Sequence, residues 1–489
     1  MVASSSRPLL VIANWRDGRH PDAGGAEVVC ERLAKKFVER GFDVVLLTSA
    51  VTGASRKELI DGYRTIRRGN RFTVYPWALL WMALHRSQIH GVIDSQNGIP
   101  FFSPLALPPK TPALMLLHHI HQDQFGIYFS PFMARVGRFL EHHGSRLVYR
   151  KRSIVAISPS TRAGARRRLG LKGDIVVIPP GSDSVVAPLP SRRARPGDPR
   201  IVCVGRLVVH KCTSSIVEAV PSLLREFPRL ELHLVGDGPE RPPLQALVES
   251  LGLGKHVVVH GAVSAPERDR LMRTAWISVN ASVGEGWGLS VVEANALGIP
   301  VLAYRRPGLR DSIRHGETGW LIDEEQPLGP AIAEALRQVS SDAGAETMAT
   351  RAREWAARFT WDEMANQVLA LLRAEEGRLA QSAHDRRTNT DLATVARIPV
   401  DLLQDGVVPR FRGNDKSLMS DGDLTVLLRS ADTETARIAL RRAGLSDSVI
   451  ADERVAISVA QQVDLVSPTT SSSAEVATSA LERQDPLAG

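Results

Sequence analysis

Two carboxylates, Glu285 and Glu293, flank a glycine-rich turn, Gly284-Glu285-Gly286-Trp287-Gly288, within the stretch Asn280 to Pro300. An apolar approach, Trp276 to Val279, leads in, and Leu289-Ser290-Val291-Val292-Glu293 leads out. Gly288 or Ser290 is expected to open a helix and Gly298 to close it, with Pro300 forbidding its continuation. Backbone N–H groups at a helix start, reached past glycines that carry no side chain, form an anion site. An anion cradle between two acids suits a phosphate held between two hydroxyl-bearing sugars, the shape of a sugar nucleotide. A purely structural reading competes with this one. Ser290-x-x-Glu293 also matches a capping box, in which the carboxylate serves only the helix start.

Fixed positive charge, glycine and histidine recur at comparable places. Arg206 and Lys211 follow the apolar run Ile201 to Val204, ahead of a helix predicted from about Ser214. Alone they would be surface charges; coupled to a strand, a loop and a helix start they favour phosphate. Gly24 and Gly25 follow the run Leu9 to Ala13, either as a helix-entry turn or as a ligand loop at a strand's carboxyl end. His118, His119 and His121 close the run Pro112 to Leu117 without a recognised metal-ligand spacing. They read as a substrate-facing loop where imidazole can donate to a hydroxyl or pyrophosphate oxygen.

These groups need parallel strands to carry them. Leu9 to Ala13, the glycine loop, a helix through Val28, Leu33 and Phe37, and the strand Val44 to Thr48 form a βαβ unit. Further strands are predicted at 91–94, 154–158, 175–181, 230–235, 257–263, 301–304 and 320–323. Phe72 to Leu84 reads as a core helix, with membrane contact as the alternative. Ser130 to Arg152 reads as an amphipathic helix whose apolar stripe holds Phe132, Met133, Val136, Phe139, Leu140, Leu147 and Val148, with Arg135, Arg138, Arg146, Arg150, Lys151 and Arg152 opposite. Two readings of that helix stand: packing on a core, or lying on an anionic membrane.

Length and charge bound the answer. A chain of 489 residues exceeds one ordinary core, so two domains plus an appendage are expected. A net charge of +8 suggests anionic partners. Cys30, Cys203 and Cys212 form no CxxC pair and read as reduced thiols of a cytoplasmic protein. The start leads from a short apolar run into a polar loop, a first strand rather than a signal peptide. No run reaches the roughly eighteen apolar residues of a spanning helix.

Glu285-x7-Glu293, with Gly286-Trp287-Gly288-Leu289 inside and Ala294-Asn295-Ala296-Leu297-Gly298-Ile299-Pro300-Val301 after it, resembles the EGxGL…EAxAxGxPV signature of the retaining glycosyltransferases of GT-B fold known as family 4. Gly205-Arg206-Leu207…Lys211, Gly236-Asp237-Gly238-Pro239 and Gly316-x-x-Gly319 are similar to further elements of that family, so the resemblance spans roughly residues 7 to 375. It implies an α/β protein of GT-B type: two Rossmann-like domains facing across a cleft, plus a C-terminal extension. The boundaries expected are an acceptor-binding domain at 1–185, a Pro/Arg-rich linker at 186–199, a nucleotide-sugar-binding domain at 200–379 with a last helix crossing back to the first domain, and a partly disordered extension at 380–489, holding short elements at 386–405, 420–428 and 434–445 and a disordered tail at 469–489.

The same resemblance assigns roles. Glu293 would hold the donor ribose; Glu285, Gly286, Trp287, Gly288, Leu289 and Ser290 would contact the donor sugar and phosphate. Arg206 and Lys211 would grip the pyrophosphate, and Gly24 and Gly25 would lie over the donor phosphate and the acceptor. The base would rest against backbone near Gly261 and Val263. His118 best matches the histidine near the reacting sugar, with His119 one residue out of register. Cys212 departs from the family by standing where glycine is usual, which bears on how freely backbone approaches the phosphate. The implied reaction moves a hexose from a UDP- or GDP-sugar to an acceptor hydroxyl (lipid-linked, cell-envelope or secondary-metabolite). No cofactor, no metal and no nucleic-acid partner is expected, and the place is the cytoplasm, with peripheral contact to the inner face of a membrane. Rivals are a GT-B epimerase or phosphorylase, and a basic nucleic-acid-binding protein with a relic cleft; intact Glu285 and Glu293 and few aromatics among the basic residues oppose the latter.

Overall fold

Runs such as Leu9-Leu10-Val11-Ile12-Ala13 alternate with nothing polar, as strands buried on both faces must. In the computed structural model, which describes residues 7–184, 198–380, 392–403, 411, 415–420, 422–429, 431–452 and 454–461, such runs build two doubly wound sheets. The first contains β1 (Leu9–Ala13), β2 (Asp43–Thr48), β3 (Lys57–Ile60), β4 (Tyr63–Arg67), β5 (Ile89–Gln96), β6 (Ala113–Leu117), β7 (Ile154–Ala156) and β8 (Ile175–Val177), ordered β3-β4-β2-β1-β5-β6-β7-β8. Only β3 runs antiparallel, as a hairpin with β4. The second contains β9 (Arg200–Val204), β10 (Glu231–Val235), β11 (Val257–Gly261), β12 (Ile277–Asn280), β13 (Val301–Tyr304) and β14 (Gly319–Ile322), ordered β11-β10-β9-β12-β13-β14 and wholly parallel. Strand order reverses between β1 and β5 and between β9 and β12, the places where such sheets open a crevice for ligands.

The last helix of this part, Trp361–Ala380, crosses back to the first sheet's half as expected. Asp362 near its start pairs with Lys36 at 2.9 Å and Arg40 at 3.0 Å. Near its end, buried Glu375 accepts from Ser153 at 3.0 Å and faces Arg152 at 3.6 Å. Gly181 is compelled here, because a Cβ would come within 2.3 Å of the Trp361 amide nitrogen.

The stretch 130–152 differs from its expected continuous amphipathic helix. It is built from Pro131–Phe139, a π-helical turn Leu140–Gly144 and Ser145–Val148. Its inward face is Ala134, Glu141, Ser145 and Tyr149, while Phe132, Phe139 and Leu147 stand 69%, 58% and 75% exposed. The reason lies beneath it: β5 ends in buried Asp94 and Gln96, which need polar partners. Tyr149 donates to Asp94, and Gln96 donates to Glu141 at 3.4 Å. The helix Val74–His85 is a core helix on its Val74, Ala78 and Met82 face but leaves Leu80 and Leu84 exposed.

The short elements expected at 386–405, 420–428 and 434–445 are present, and with further strands they pack into a folded unit of their own. The described residues from Leu392 onward belong to a second compact unit. Antiparallel strands β15 (Leu392–Pro399), β16 (Lys416–Ser420), β17 (Asp423–Arg429) and β18 (Ala456–Gln461) pair in the order β16-β17-β15-β18. Alternate residues Ala396, Ile398, Leu424, Val426 and Leu428 bury against Ala436 and Leu440 of the helix Thr433–Arg442. The expected disordered tail, 469–489, and all but the last two residues of the expected linker lie outside the described residues. Because each unit has its own core, a chain ended after Thr388 should melt cooperatively and keep its ligand-induced thermal shifts; an insoluble or non-cooperative product would refute that boundary.

Candidate active site

The carboxyl ends of β1, β5, β6, β9 and β12 converge on one cleft of about 990 Å³. Backbone crowding builds its second-sheet wall. A Cβ on Gly236 would stand 1.9 Å from the Gly205 carbonyl oxygen, and one on Gly238 2.2 Å from that of Leu207. Glycine alone permits this approach, and it carries Arg206 over the cleft, where Nη1 donates to the Asp22 carbonyl at 2.8 Å across the gap. Cys212 sits at φ 48°, the left-handed region in which the resemblance expects glycine, and from it springs the helix Thr213–Leu223. A side chain in that conformation costs about 1–2 kcal/mol, yet the loop keeps its course.

Lys211, just before it, forms a close ion pair with Glu285, whose Oε1 also accepts from Ser282 Oγ at 2.7 Å. Burial works to raise the Glu285 carboxyl, but Lys211, Ser282 and His210 outweigh it and hold the group below the usual carboxylate range. Beyond Glu285, a Cβ on Gly286 would meet the His118 carbonyl oxygen at 2.2 Å, so the two halves touch there through glycine alone. Gly288 follows at φ 91°, and the helix Leu289–Ala296 starts with no side-chain cap. The Leu289 and Ser290 amides donate to no protein group among the described residues, as the first turn of a helix dictates.

That geometry removes the capping-box reading. Ser290 is the helix's second residue rather than its cap, and Glu293 bonds to Arg268 Nη1 at 3.0 Å instead of to backbone. Burial, with Asp269 and Asp183 nearby and Arg268 only partly opposing, pushes the Glu293 carboxyl up to about 7. Trp287 is buried, with its ring edge-to-face on Phe359 at 5.0 Å and its indole N–H without an acceptor among the described residues.

The histidine register resolves into two different positions. His118 is buried, its Nε2 2.9 Å from Ser95 Oγ. Ser95 donates to Asn14 Oδ1 at 3.3 Å, so it is left to accept from His118. His119 is half-buried on the cleft wall, within electrostatic reach of Glu285. Burial, together with the His121 charge, pulls both imidazoles down to about 3, so both are neutral near pH 7. Among the described residues no three His, Cys, Asp or Glu side chains are grouped to hold a metal ion.

All the residues assigned from the sequence line this cleft except Gly261 and Val263. Gly261 lies under the Arg241 guanidinium, which a Cβ there would approach to 2.6 Å and which pairs with Asp237 at 3.0 Å. Two residues escaped sequence reading. Arg268 carries no signal, because only the fold brings it to Glu293. Glu27 had one, three residues after Gly24 at a helix start. Its buried carboxylate accepts from the Gly24 amide at 2.7 Å, Asn97 at 2.9 Å, Arg16 at 3.2 Å and Asn14 at 3.3 Å, tying three loops together.

Comparison with known proteins agrees with this geometry. Residues 23–185 match the profile described as Glycosyltransferase Family 4, and residues 190–356 that of Glycosyl transferases group 1, together more than half of the chain. The chain is 30% identical over 241 residues to the GDP-mannose-dependent alpha-(1-6)-phosphatidylinositol monomannoside mannosyltransferase of Mycobacterium tuberculosis, covering 46% of this chain and 62% of that protein, less than two thirds of its length. It is 29% identical over 402 residues to the D-inositol 3-phosphate glycosyltransferase of Xylanimonas cellulosilytica, covering 71% of this chain and 91% of that protein. The structure of sucrose-phosphate synthase from Thermosynechococcus elongatus superposes with a TM-score of 0.63 at 22% identity, over 75% of this chain and 98% of that one. With two facing doubly wound sheets, the family's motifs gathered in the cleft between them, and both family profiles matched in tandem, the chain belongs to the group 1, or family 4, glycosyltransferases of GT-B fold.

Proposed function

We propose that this protein transfers a hexose from a nucleotide-sugar donor to an acceptor hydroxyl, with retention at the anomeric carbon and without a divalent cation. The observation that carries the reading is the convergence of Arg206, the Lys211–Glu285 pair, the uncapped helix start at Leu289 and the Glu293 carboxyl in one cleft. The donor's ribose hydroxyls bond Glu293, and its diphosphate lies between Arg206, Lys211 and the free amides of Leu289 and Ser290. Lys211 serves both Glu285 and a phosphate oxygen, because an ammonium has three donors. Charge developing on the leaving diphosphate is thereby met by groups already oriented toward it. Glu285, held ionised, accepts from hydroxyls of the transferred sugar. His119, neutral and open to the cleft, bonds that sugar, while His118 stays committed to Ser95.

The relatives' names point to GDP-mannose and to inositol-based acceptors, so a GDP- or UDP-sugar and a polyol hydroxyl are the first to try. Among the described residues no helix is long and apolar enough to cross a membrane. Peripheral contact with the inner face of a membrane fits the exposed Phe132, Phe139 and Leu147 beside Arg135, Arg146 and Arg150. The direct test is a thermal-shift panel of UDP-, GDP- and ADP-sugars, followed by release of nucleoside diphosphate matched mole for mole by glycosylated acceptor. Free nucleotide without a glycosylated product, or no response to any sugar nucleotide, would overturn the assignment.

Glu293→Gln should raise the donor Kd about a hundredfold or more, since two charge-assisted hydrogen bonds of about 1.5–3 kcal/mol each are lost. Its stability has a definite sign as well. Burial raises this carboxyl from 4.5 to about 7, so the penalty of ionising it in the fold is absent below pH 4.5, grows up to pH 7 and is complete above. The variant should therefore melt at or above the wild-type temperature at pH 8, with the difference closing at pH 5. Wild-type donor affinity should rise with pH through 7 and that of the variant should not; a flat wild-type profile would count against the ribose role.

Glu285→Gln should weaken binding of the intact donor more than that of the bare nucleoside diphosphate, because its carboxylate addresses the sugar. Titrating both ligands into the variant decides it, and equal losses would remove the role. Turnover should persist in excess EDTA; activity lost there and restored only by Mg²⁺ or Mn²⁺ would refute the metal-free reading.

A further inference from the structure

The wall of the cleft belonging to the first sheet's half differs in chemistry from the donor wall. Gly69, at φ 74°, and the Asn70 side chain shape the turn before the helix Val74–His85. Asn70 Oδ1 accepts from the Phe72 amide at 2.9 Å and the Thr73 amide at 3.0 Å. That turn presents Arg71 with its guanidinium carbon 4.8 Å from the Phe72 ring centre and 4.6 Å from that of Phe129. The rings meet edge-to-face at 6.4 Å, joining the turn to the segment that leads into Pro131–Phe139. Arg71 is exposed, lines the cleft and has no carboxylate partner among the described residues. The same cavity has hydrocarbon lining: Leu79 from one helix, and Met133, Val136 and Leu140 from the other segment, each only partly buried. Leu80, after Leu79, and Phe132, before Met133, are exposed to solvent.

A cation held on aromatic faces keeps its N–H edge free for an anion. Aliphatic side chains lining the same cavity favour a chain that water rejects. Both features share one cavity with His119 and Glu285. We propose that this wall binds a phosphate-bearing amphiphile as acceptor, its phosphate on Arg71 and its hydrocarbon chain along Leu79, Met133, Val136 and Leu140. The inference rests on the glycosyltransferase reading for the word acceptor, but the binding site stands on its own geometry. An uncharged acceptor would leave the cation unused, and a phosphate without a hydrocarbon chain would leave the apolar lining unused.

The test is calorimetric titration of the full chain with monooctyl, monodecyl and monododecyl phosphate, each below its micelle-forming concentration, and with dodecyl maltoside as an uncharged comparison. One phosphate amphiphile should bind per chain, with affinity rising up to about fourfold for each buried methylene. Dodecyl maltoside should bind at least tenfold more weakly than dodecyl phosphate. Arg71→Gln should weaken all three phosphates about tenfold or more while leaving their chain-length series intact. Val136→Asn should flatten the series, and Met133→Gln should do so too if the first variant does not fold. Equal binding of maltoside and phosphate, an unaffected Arg71→Gln, or a chain-length series unchanged in the Val136 and Met133 variants would each overturn the proposal. GDP and UDP titrated into the same samples separate the two readings. Nucleotide binding without amphiphile binding sinks this inference alone, whereas amphiphile binding without nucleotide binding counts against the transferase.

Discussion

A carboxylate taken out of water must be given donors or a cation, or it loses its charge. That constraint governs how this molecule is put together. Glu27, Asp94, Glu141, Glu285, Glu293 and Glu375 are all withdrawn from solvent, and each ties together elements that the chain leaves far apart. Glu27 joins the loops after β1 and β5 to a helix start. Asp94 accepts from the Phe101 and Ser103 amides and so holds the loop after β5, which includes Phe102 at φ 59°. Glu375 anchors the returning helix on Ser153 and Arg152. The same rule sorts the two acids of the site. Glu285, beside Lys211, stays ionised, while Glu293, with one arginine against two neighbouring aspartates, is balanced near neutrality.

The second constraint is steric. The site depends on backbone reaching places a side chain would close, and glycines supply that at Gly286 against His118 and at Gly236 and Gly238 against the turn after β9. Cys212 shows how far the rule bends. It holds the left-handed conformation without being glycine, and the adjoining Lys211 still reaches Glu285. The strain sits one residue from Lys211, so the loop's course is imposed by the strand and helix on either side rather than by local preference.

Much of this was legible in the chain. The apolar runs predicted the parallel strands, and the glycine and proline punctuation placed the helix Leu289–Ala296 within a residue or two. The charged and glycine residues of the motif entered the cleft where the resemblance put them, Gly261 and Val263 excepted. Those features are local: periodicity, turn glycines and strand-to-loop order are carried by neighbours along the chain. The stripe Phe132, Phe139, Leu147 misled for the same reason. Periodicity reports that a helix is amphipathic but not which face the protein covers, and here polar residues at the end of β5 claimed the inward side. The C-terminal sheet was seen only in pieces, because its short strands acquire a core through antiparallel pairing across distant stretches.

By itself the sequence determined the fold class, the order of elements and the motif that gathers at the cleft, since each rests on short-range rules. Tertiary structure alone decided the partners. It set Arg268 on Glu293, turned His118 to Ser95 and left His119 in the cleft, covered Gly261 with Arg241, and placed Arg71 on two phenyl rings in a cavity with apolar lining. Ionisation state and ligand chemistry follow from such through-space pairings and from burial. Neither quantity is a property of a residue and its sequence neighbours; both arise only when distant parts of the chain exclude water together.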